Sequence, residues 1–378
     1  MIAPRVAIVG AGPGGLTLAR ILHLRSLHAT VFEREPVSSA RPQGGSLDMH
    51  AESGRFAIRC AELEPEFKRI ARYEDQESRV YDKHGTLRFV EADVATKDRP
   101  EVDRGHLRQM LLDSLPAGTV RWNHELAAIE AQGDNLFELR FRDAPNETFD
   151  LVVGADGAWS RVRPLVSQAR PAYSGVTMVE LGIDDVDARF PELSALVGHG
   201  LMFALGDSKA LIGHRDANAH IGIYAGLRVP ENWLESGALD TTSSSALKTT
   251  LTAQFDDWSD VLKRLVQSSD DRFAARPIYM LPVGHRWEHR AGVTLLGDAA
   301  HLMSPFGGDG ANLAMRDAAD LALALTTASD WDAAVRDVEF SMFARAKEAA
   351  AGARQGIDET FSADGLTHTL AQMEWQRG

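Results

Sequence analysis

The sequence has few of the features that mark a secreted, metal-binding or membrane protein. Cys60 is the one cysteine among 378 residues, so the chain cannot form an internal disulfide and offers no cysteine cluster for a metal. No stretch approaches the ~20 apolar residues of a membrane-spanning helix. Residues 1–4 lead directly into an apolar β-like run without the pattern of a signal peptide. These absences predict no metal site and no membrane span, and a cytoplasmic location is expected.

The chain also has fewer basic than acidic residues. The chain has 40 lysine and arginine residues against 54 aspartate and glutamate residues, which gives a formal net charge of -14. Binding of nucleic acid needs a basic face, so no nucleic-acid partner is expected. Hydrophobic residues make up 44% of the chain and charged residues 25%, as is typical of a globular protein. A length of 378 residues is enough for two domains or one elaborated domain.

Side chains for nucleophilic or paired-acid catalysis are a third absence. No set of serine, histidine and aspartate, and no pair of acids, stands out in the sequence. The chain contains instead several glycine-bearing motifs that follow apolar segments. Any chemistry is therefore expected to come from a bound cofactor.

The first glycine motif follows the first apolar segment. Residues 5–9 form a β-like run, and Gly10, Gly12 and Gly15 complete a GxGxxG pattern that opens into a helix-like segment; a second short strand ends at Glu33. This is the context of a dinucleotide-binding fingerprint. The glycines allow a tight turn and the close approach of a pyrophosphate, and the acid binds a ribose hydroxyl. The pattern does not distinguish FAD from NAD.

Residues 293–312 again read as a strand, a loop and a helix. The apolar run ends in Gly297 and Asp298, at the edge where open α/β sheets bind ligands, so the Asp298 carboxylate could accept hydrogen bonds from ribitol hydroxyls. The helix that follows begins with a positive dipole end, which would stabilise the negative charge of a reduced flavin. An ordinary strand-to-helix loop is the alternative. The candidate cofactor contacts of this segment are Asp298, Pro305, Gly308, Gly310, Ala311 and Asn312.

Further candidates lie between these two motifs. Gly45 and Asp48 follow a loop rich in glycine and proline, and they either face a flavin or belong to a solvated surface loop. Asp103 is a candidate N-cap, and Arg104 follows it in the first turn of a predicted helix, where the helix dipole disfavours a cation. Arg104 is therefore a candidate for holding a negative group, with a plain surface arginine as the alternative. Asp156, which a glycine follows, ends a further apolar strand.

Between residues 171 and 282 the sequence pattern changes to short strand-like runs. Four runs, 176–184, 200–206, 209–214 and 219–227, predict short strands separated by turns and together an antiparallel sheet. The predicted fold is therefore α/β, with a Rossmann-like FAD-binding domain interrupted by an antiparallel-sheet domain and followed by C-terminal helices. The expected boundaries are 1–170 and 283–355 for the first domain, 171–282 for the substrate-binding domain and 356–378 for a C-terminal helix.

The motifs at residues 10–15, 154–157 and 297–298, taken in this order, resemble those of the group A flavoprotein monooxygenases, which have the para-hydroxybenzoate hydroxylase fold. In that family the first motif binds the ADP part of FAD, the Asp-Gly motif serves FAD and the passing NAD(P)H, and the Gly-Asp motif binds the ribitol. Within the family the chain looks most like the tetracycline-inactivating flavin monooxygenases. That closer resemblance rests on Glu33, Arg34, Arg41, residues 44–48, Arg104, residues 300–303, Pro305 and Phe306.

The resemblance implies FAD as the cofactor, with NADPH or NADH as co-substrate. It implies that Glu33, Asp48, Arg104 and Asp298 contact FAD and that Arg41 helps to receive NADPH.

On the substrate side the resemblance implies contacts at His220 and Phe306. Glu180 stands where the tetracycline-inactivating enzymes have a glutamine, and Gly200 where they have an arginine. The expected substrate is a phenolic or enolic ring compound, with tetracycline or another polyketide-like antibiotic as one case.

By the same resemblance the reaction is a hydroxylation with molecular oxygen, through a hydroperoxide at flavin C4a. Separately from the resemblance, a monomer is expected. Two alternatives are open. A flavin-dependent reductase would reduce a double bond without consuming oxygen. A non-catalytic FAD-binding protein would carry flavin without oxidising NAD(P)H.

Overall fold

The computed structural model of the protein describes residues 3–40, 45–73, 77–91, 99–133 and 135–377. The chain divides into two compact units. The first unit is made of Met1–Ala71, Asp98–Ala172 and Tyr279–Arg354, and the second of Arg72–Lys97, Tyr173–Ile278 and Gln355–Gly378.

The strands, in chain order, are β1 (Val6–Val9), β2 (Ala29–Phe32), β3 (Ser46–Asp48), β4 (Glu77–Asp82), β5 (Leu87–Glu91), β6 (Glu101–Asp103), β7 (Val120–Arg121), β8 (Leu126–Ala131), β9 (Phe137–Phe141), β10 (Glu147–Phe149), β11 (Leu151–Gly154), β12 (Ala172–Ile183), β13 (Gly200–Gly206), β14 (Lys209–Arg215), β15 (Ile221–Arg228), β16 (Ala274–Met280) and β17 (Val293–Leu295). The α-helices are α1 (Pro13–Leu24), α2 (Gly54–Cys60), α3 (Glu64–Ile70), α4 (Arg104–Asp113), α5 (Val186–Arg189), α6 (Pro191–Val197), α7 (Ser244–Ala253), α8 (Asp260–Gln267), α9 (Asp298–His301), α10 (Asp309–Thr327), α11 (Trp331–Thr360) and α12 (Gly365–Arg377).

The first unit is built on a parallel sheet with the strand order β17-β11-β1-β2-β7. Every residue of β1, β11 and β17 is buried, as expected for parallel strands that are covered on both faces. Val6 pairs with Leu151 on one side and with Ala29 on the other. Because these strands run in the same direction, their carboxyl ends meet at one edge of the sheet. The predicted Rossmann-like arrangement is thereby confirmed.

Helices α1 and α10 pack together in the core of this unit. Leu16 and Ile21 of α1 are fully buried, as is Ala318 of α10, and burying a leucine side chain stabilises the fold by about 2 kcal/mol. A Cβ atom on Gly14 would stand 2.9 Å from the carbonyl oxygen of Ala314. The start of α1 therefore lies against the start of α10.

The second unit contains a larger sheet with the order β16-β12-β15-β14-β13-β4-β5. One face of this sheet packs against helices α6, α7 and α8. Its core includes Val179 and Ile223 from the strands and Leu193, Leu251 and Leu262 from the helices.

The predicted antiparallel sheet is confirmed for its four strands, and the sheet also contains strands that were not part of that prediction. β12, β13, β14 and β15 pair antiparallel as predicted, but β13 and β4 pair in parallel, with Gly200 beside Glu77. β4 and β5 form a hairpin around residues 83–86. The hydrogen bonds of β4 to β13 bring this hairpin into the second unit, although it lies within the segment 1–170 in sequence.

Two features of the helices concern the second unit. Helices α7 and α8 are separate, because the chain turns between Ala253 and Asp260. The second unit begins again after Arg354, within α11. Over the ranges that the structure describes, no helix has the length and apolar character needed to cross a bilayer.

Candidate functional site

Four neighbouring strand ends bring the motifs of the sequence together. Gly10 follows β1, Glu33 follows β2, Asp156 comes shortly after β11 and Asp298 comes shortly after β17. The backbone N–H of Gly10 donates to the carbonyl oxygen of Phe32 at 2.8 Å. Residues that are far apart in sequence are thus collected at one edge of the parallel sheet, which is where such sheets bind their ligands.

The glycine loop after β1 is tight at one position and open at another. Gly10 has a φ of +108°, and a Cβ atom there would stand 2.3 Å from the carbonyl oxygen of Ala155. Only glycine fits this position. A Cβ atom on Gly12, by contrast, would meet no atom of the described residues within 4 Å. Gly12 precedes Pro13 at the start of α1, where no side chain caps the helix, so this helix end is accessible to a phosphate.

Backbone N–H groups orient the Glu33 carboxylate beside this loop. The N–H of Ala11 donates to Oε2 of Glu33 at 2.8 Å, and the N–H of Glu35 donates to Oε1 at 3.1 Å. The acid is therefore fixed next to the glycine turn, as binding of a ribose hydroxyl requires. Arg34, the next residue, is exposed.

Sequence reasoning missed Arg108, which supports the same loop from behind. Its guanidinium is buried and donates from Nε to the carbonyl oxygen of Ala11 at 3.1 Å and from Nη1 to that of Ser38 at 2.8 Å. It also lies 3.4 Å from the Glu35 carboxylate and over the Trp122 ring. The signal in the sequence is an arginine on the apolar face of a helix, where it must find polar partners.

Arg104 begins α4, and its exposed guanidinium forms no hydrogen bond or ion pair within the described part of the chain. Its backbone N–H donates to the carbonyl oxygen of Gly45 at 3.1 Å. Asp103 occupies the N-cap position as expected, but its carboxylate makes no capping hydrogen bond and lies 3.2 Å from the His106 ring. Arg104 is thus available to hold an anion.

Asp156 has one satisfied and one unsatisfied carboxylate oxygen. The N–H of Arg161 donates to Oδ2 at 2.7 Å, whereas Oδ1 is buried without a partner among the described residues. Burial raises the pKa of this carboxyl above its ordinary value. An orphaned buried acceptor of this kind requires a donor from outside the chain or a bound water.

Arg163, a second buried arginine that sequence reasoning missed, joins the loops after β11 and β17. It donates from Nε to the carbonyl oxygen of Ala299 at 2.8 Å and from Nη2 to those of Ala158 at 2.7 Å and Asp298 at 3.2 Å. Burial lowers the pKa of this guanidinium. The two acidic loops are therefore fixed relative to each other through backbone carbonyls, which single-segment motifs cannot reveal.

The turn before Asp298 is supported by a buried pair of charges. Gly297 has a φ of +57°, and its N–H donates to Oδ2 of Asp317 at 3.3 Å. The same oxygen lies 2.6 Å from Nε2 of His301, and both side chains are buried. Burial alone would lower the pKa of His301, but the Asp317 carboxylate raises it above 6.5. His301 is thus held beneath the turn by this carboxylate, while its Nδ1 is buried without a partner among the described residues.

The Asp298 side chain itself faces open space. It is exposed, and its Oδ1 lies 3.9 Å from a Cβ atom built on Gly310. Gly310 belongs to the first turn of α10, which starts without a side-chain cap. A carboxylate and a free helix end therefore border the same space.

Asn312 ties the segment around Asp48 to the start of α10. Its Nδ2 donates to the carbonyl oxygen of Asp48 at 2.8 Å, and its Oδ1 accepts from the N–H groups of His50 at 3.0 Å and Gly54 at 3.2 Å. Asn312 is fully buried. The predicted residues of the 44–48 and 305–312 segments thus form one structure, with Gly308 between them.

The remaining predicted residues of the first unit are less informative. Pro305 is exposed, while Phe306 and Ala311 are half-buried. Gly15 packs against the carbonyl oxygen of Gly10. Arg41, expected to receive NADPH, lies outside the described residues.

In the second unit the predicted substrate contacts are engaged with other charged side chains. Glu180 forms an ion pair with Arg276. Nδ1 of His220 lies 2.8 Å from the Asp184 carboxylate, and its Nε2 lies 3.8 Å from that of Asp216. Neither residue is buried, so each could exchange its present partner for a ligand group.

These features fit an FAD molecule along the strand ends of the first unit. The open helix end at Gly12 suits a pyrophosphate, Glu33 suits a ribose, and Asp298 beside Gly310 suits a hydroxylated chain. The orphaned Oδ1 of Asp156 and the free guanidinium of Arg104 offer further polar groups. Within the described residues, no group of three or more potential metal ligands is present.

Comparison with known families agrees with this site. Residues 4–209 and 252–335 match the family model described as the FAD binding domain. The match covers most of the chain, so the protein belongs to this family, that of the group A flavin monooxygenases. It is an FAD-dependent monooxygenase.

Among characterised relatives, the monooxygenase penA of Penicillium thymicola is 35% identical over 364 residues, which cover 84% of each chain. The 3-amino-4-hydroxybenzoate 2-monooxygenase PtnB3 of Streptomyces platensis is 28% identical over 373 residues, covering 97% of this chain and 91% of that one.

Solved structures share the fold. Klebsiella pneumoniae HpxO in complex with FAD and uric acid has a TM-score of 0.81 at 21% identity, covering 98% of this chain and 92% of that one. The tetracycline destructase Tet(51) has a TM-score of 0.73 at 20% identity, covering 100% of this chain and 95% of that one. At these identities the likeness is one of fold.

Proposed function

We propose that this monooxygenase uses NADPH or NADH and molecular oxygen to hydroxylate a phenolic or enolic ring compound. The observation that carries the proposal is the set of polar groups at the strand ends of the first unit, which surround open space and fit FAD. Among the described residues we find no nucleophile or acid–base pair at these strand ends that could replace cofactor chemistry.

The residues around Gly12 and Glu33 bind the adenosine and pyrophosphate parts of FAD in this proposal. The open N-terminus of α1 stabilises the phosphate charge, because its free N–H groups and dipole point at it. Glu33, already held by two backbone N–H groups, accepts from a ribose hydroxyl. Arg104 adds a positive charge, and Asp156 accepts a hydrogen bond at its orphaned oxygen.

The segment from Asp298 to Asn312 binds the rest of the cofactor. Asp298 accepts hydrogen bonds from the ribitol, and the free N–H groups at the start of α10, in Gly310 and Ala311, stabilise negative charge on the ring. Bound FAD would supply the redox and oxygen chemistry of the reaction. The protein orients the ring and excludes water from it.

The substrate class is supported by the relatives. PtnB3 is named for 3-amino-4-hydroxybenzoate, a ring that bears an electron-donating hydroxyl, and tetracycline is an enolic and phenolic compound of the same general type. Glu180 and His220 of the second unit and Phe306 of the first remain the proposed substrate contacts. The ion pair of Glu180 with Arg276 favours a substrate that brings its own polar group to this position.

The proposal is tested with the purified, flavin-loaded protein. NADPH oxidation and oxygen uptake are measured with 3-amino-4-hydroxybenzoate, with tetracycline and with a saturated ring acid as control. The masses of the products are then determined by mass spectrometry. We expect a phenolic or enolic compound to stimulate both rates and to gain the mass of one oxygen atom.

Two results would overturn the proposal. Substrate reduction without oxygen uptake would indicate a reductase that inserts no oxygen. A bound flavin that neither NADPH nor NADH reduces, in the presence of any of the tested compounds, would indicate a non-catalytic FAD-binding protein.

A further inference from the structure

Two acidic side chains lie at the start of α10. The positive dipole end of this helix also favours a negative ligand, so the carboxylates and such a ligand would repel each other. Asp309 is the first residue of the helix. Asp48, at the end of β3, places its Oδ1 2.9 Å from a Cβ atom built on Gly308, the residue before the helix. Two negative charges thus lie where a site for anionic reduced flavin would be expected to avoid them.

His50 lies between these two carboxylates. Its Nε2 is 2.8 Å from Oδ2 of Asp48, and its Nδ1 is 3.4 Å from Oδ1 of Asp309. An ionised carboxylate only accepts hydrogen bonds, so both ring nitrogens face acceptors and both carry protons. The side chain is 16% exposed. The geometry therefore favours an imidazolium that bridges the two acids.

The other charged group that faces this cluster is Arg99, with Nη1 4.0 Å from Oδ2 of Asp48. The hydrogen bonds with Asp309 and Asp48 raise the pKa of His50 to about 9, although burial and Arg99 act against the increase. His50 is consequently charged at neutral pH.

The cluster is fixed in place by the backbone. The N–H of His50 donates to Oδ1 of Asn312 at 3.0 Å, and Nδ2 of Asn312 donates to the carbonyl oxygen of Asp48 at 2.8 Å. Because Asn312 is fully buried in the first turns of α10, the imidazolium cannot move far from the helix end. A charge in such a fixed position acts on a neighbouring ligand without reorganisation.

We propose that His50 is the charge-balancing residue of the flavin site, and that its imidazolium, held between Asp48 and Asp309, makes the start of α10 able to accept the negative charge of reduced flavin. This inference rests on the proposed function and deepens it. With His50 charged, the three side chains together carry one negative charge, and without that proton they carry two. His50 thereby raises the reduction potential of the bound flavin, because it increases the affinity of the protein for reduced flavin.

The test measures the midpoint potential of the bound flavin in the full-length protein and in three variants. His50→Gln removes the positive charge but keeps a hydrogen-bonding side chain, and it is expected to weaken binding of reduced relative to oxidised flavin about tenfold, which is about 30 mV for a two-electron couple. Asp309→Asn is expected to shift the potential in the opposite direction.

The double variant His50→Gln/Asp309→Asn distinguishes charge from packing. It carries the same net charge at the helix end as the natural protein, so its potential is expected to return close to the natural value. A purely structural role of His50 would make the double variant as defective as the single one, or more so, and would contradict the proposal. Should His50→Gln fail to fold, the potential of Asp309→Asn tests the proposal. A higher potential than that of the natural protein would support it, and an unchanged potential would contradict it.

The pH dependence gives a second readout. In the natural protein the potential is expected to fall more steeply above about pH 9, where His50 loses its proton, and His50→Gln is expected to lack this change of slope. An unchanged potential in flavin-loaded His50→Gln would overturn the charge-balancing role alone. Failure of the natural protein to bind FAD would overturn the proposed function as well, so the two failures are distinguishable.

Discussion

The two units of the molecule hold their candidate residues in different ways. In the first unit, Glu33 and Asp156 are oriented by backbone N–H groups at the ends of parallel strands. In the second unit, Glu180 and His220 are oriented by other charged side chains. Backbone groups at strand ends are placed by the topology of the sheet, whereas pairs of side chains depend on each individual residue. The fold therefore places the candidate cofactor contacts, whereas the proposed substrate contacts depend on individual side-chain pairs.

The largest expected effect is at Gly10, where the backbone leaves no room. Gly10→Ala forces a side chain into a φ of +108° and to 2.3 Å from the carbonyl oxygen of Ala155. We expect a loss of about 4 kcal/mol in the free energy of unfolding, from backbone strain and overpacking together. Denaturant unfolding measures this loss.

Gly12→Ala is the matched control for that substitution. Among the residues that the structure describes, none has an atom within 4 Å of a Cβ atom at this position. The stability should therefore stay within about 0.5 kcal/mol of the natural protein. Its methyl group would occupy space assigned to the pyrophosphate, and FAD should bind about tenfold more weakly. Equal stability of the two variants would refute the distinction between a structural and a ligand-facing glycine.

The next effect in size concerns the buried pair beneath the Asp298 turn. Asp317→Asn removes the anion that faces His301 at 2.6 Å and should cost about 3 kcal/mol of stability, because it breaks a buried ion pair. Thermal unfolding over a range of pH measures the effect.

The sign of the pH dependence follows from the raised pKa of His301. A histidine whose pKa is higher in the folded state adds stability below its ordinary pKa, and this stability is lost as the pH rises through the raised value. The natural protein should therefore lose stability above neutral pH, and Asp317→Asn should lose less. Parallel curves for the two proteins would contradict the assignment.

The smallest effect on stability is expected in the second unit. Glu180→Gln breaks a partly exposed pair with Arg276, so the free energy of unfolding should change by less than about 1 kcal/mol. Affinity for FAD should not change, whereas kcat/KM for the best substrate should change several-fold. Steady-state kinetics and an FAD titration measure the two properties.

Glu192→Gln is the control for Glu180→Gln, since Glu192 forms a surface ion pair with Arg264 in the same unit. It should leave kcat/KM unchanged. If both variants behave alike, Glu180 is a surface residue and the substrate contacts lie elsewhere.

The position of the candidate cofactor contacts at one edge of the sheet could be predicted from the sequence. Gly10, Glu33 and Asp298 each follow a short apolar run, and parallel strands with such ends must place them at one edge. Asp48 and Asn312 were also named, and the structure joins them by a hydrogen bond.

Contacts between distant segments could not be predicted in this way. Arg108 and Arg163 each donate to carbonyl groups of loops far away in sequence, and no local pattern encodes such a partner. The parallel pairing of β4 with β13 is of the same kind. The pairing of Glu180 with Arg276 depends on the register of a sheet, which a strand pattern alone does not determine.

The central claim, that FAD lies along the strand ends of the first unit, is tested most directly by titrating the apoprotein with FAD and following flavin fluorescence. The natural protein should bind one FAD. Asp298→Ala should bind it about 30-fold more weakly, because a charged hydrogen-bond acceptor is lost, while circular dichroism shows an unchanged fold. Asp337→Ala, at a highly exposed carboxylate, should bind as the natural protein does. Undiminished flavin binding by Asp298→Ala would contradict the account.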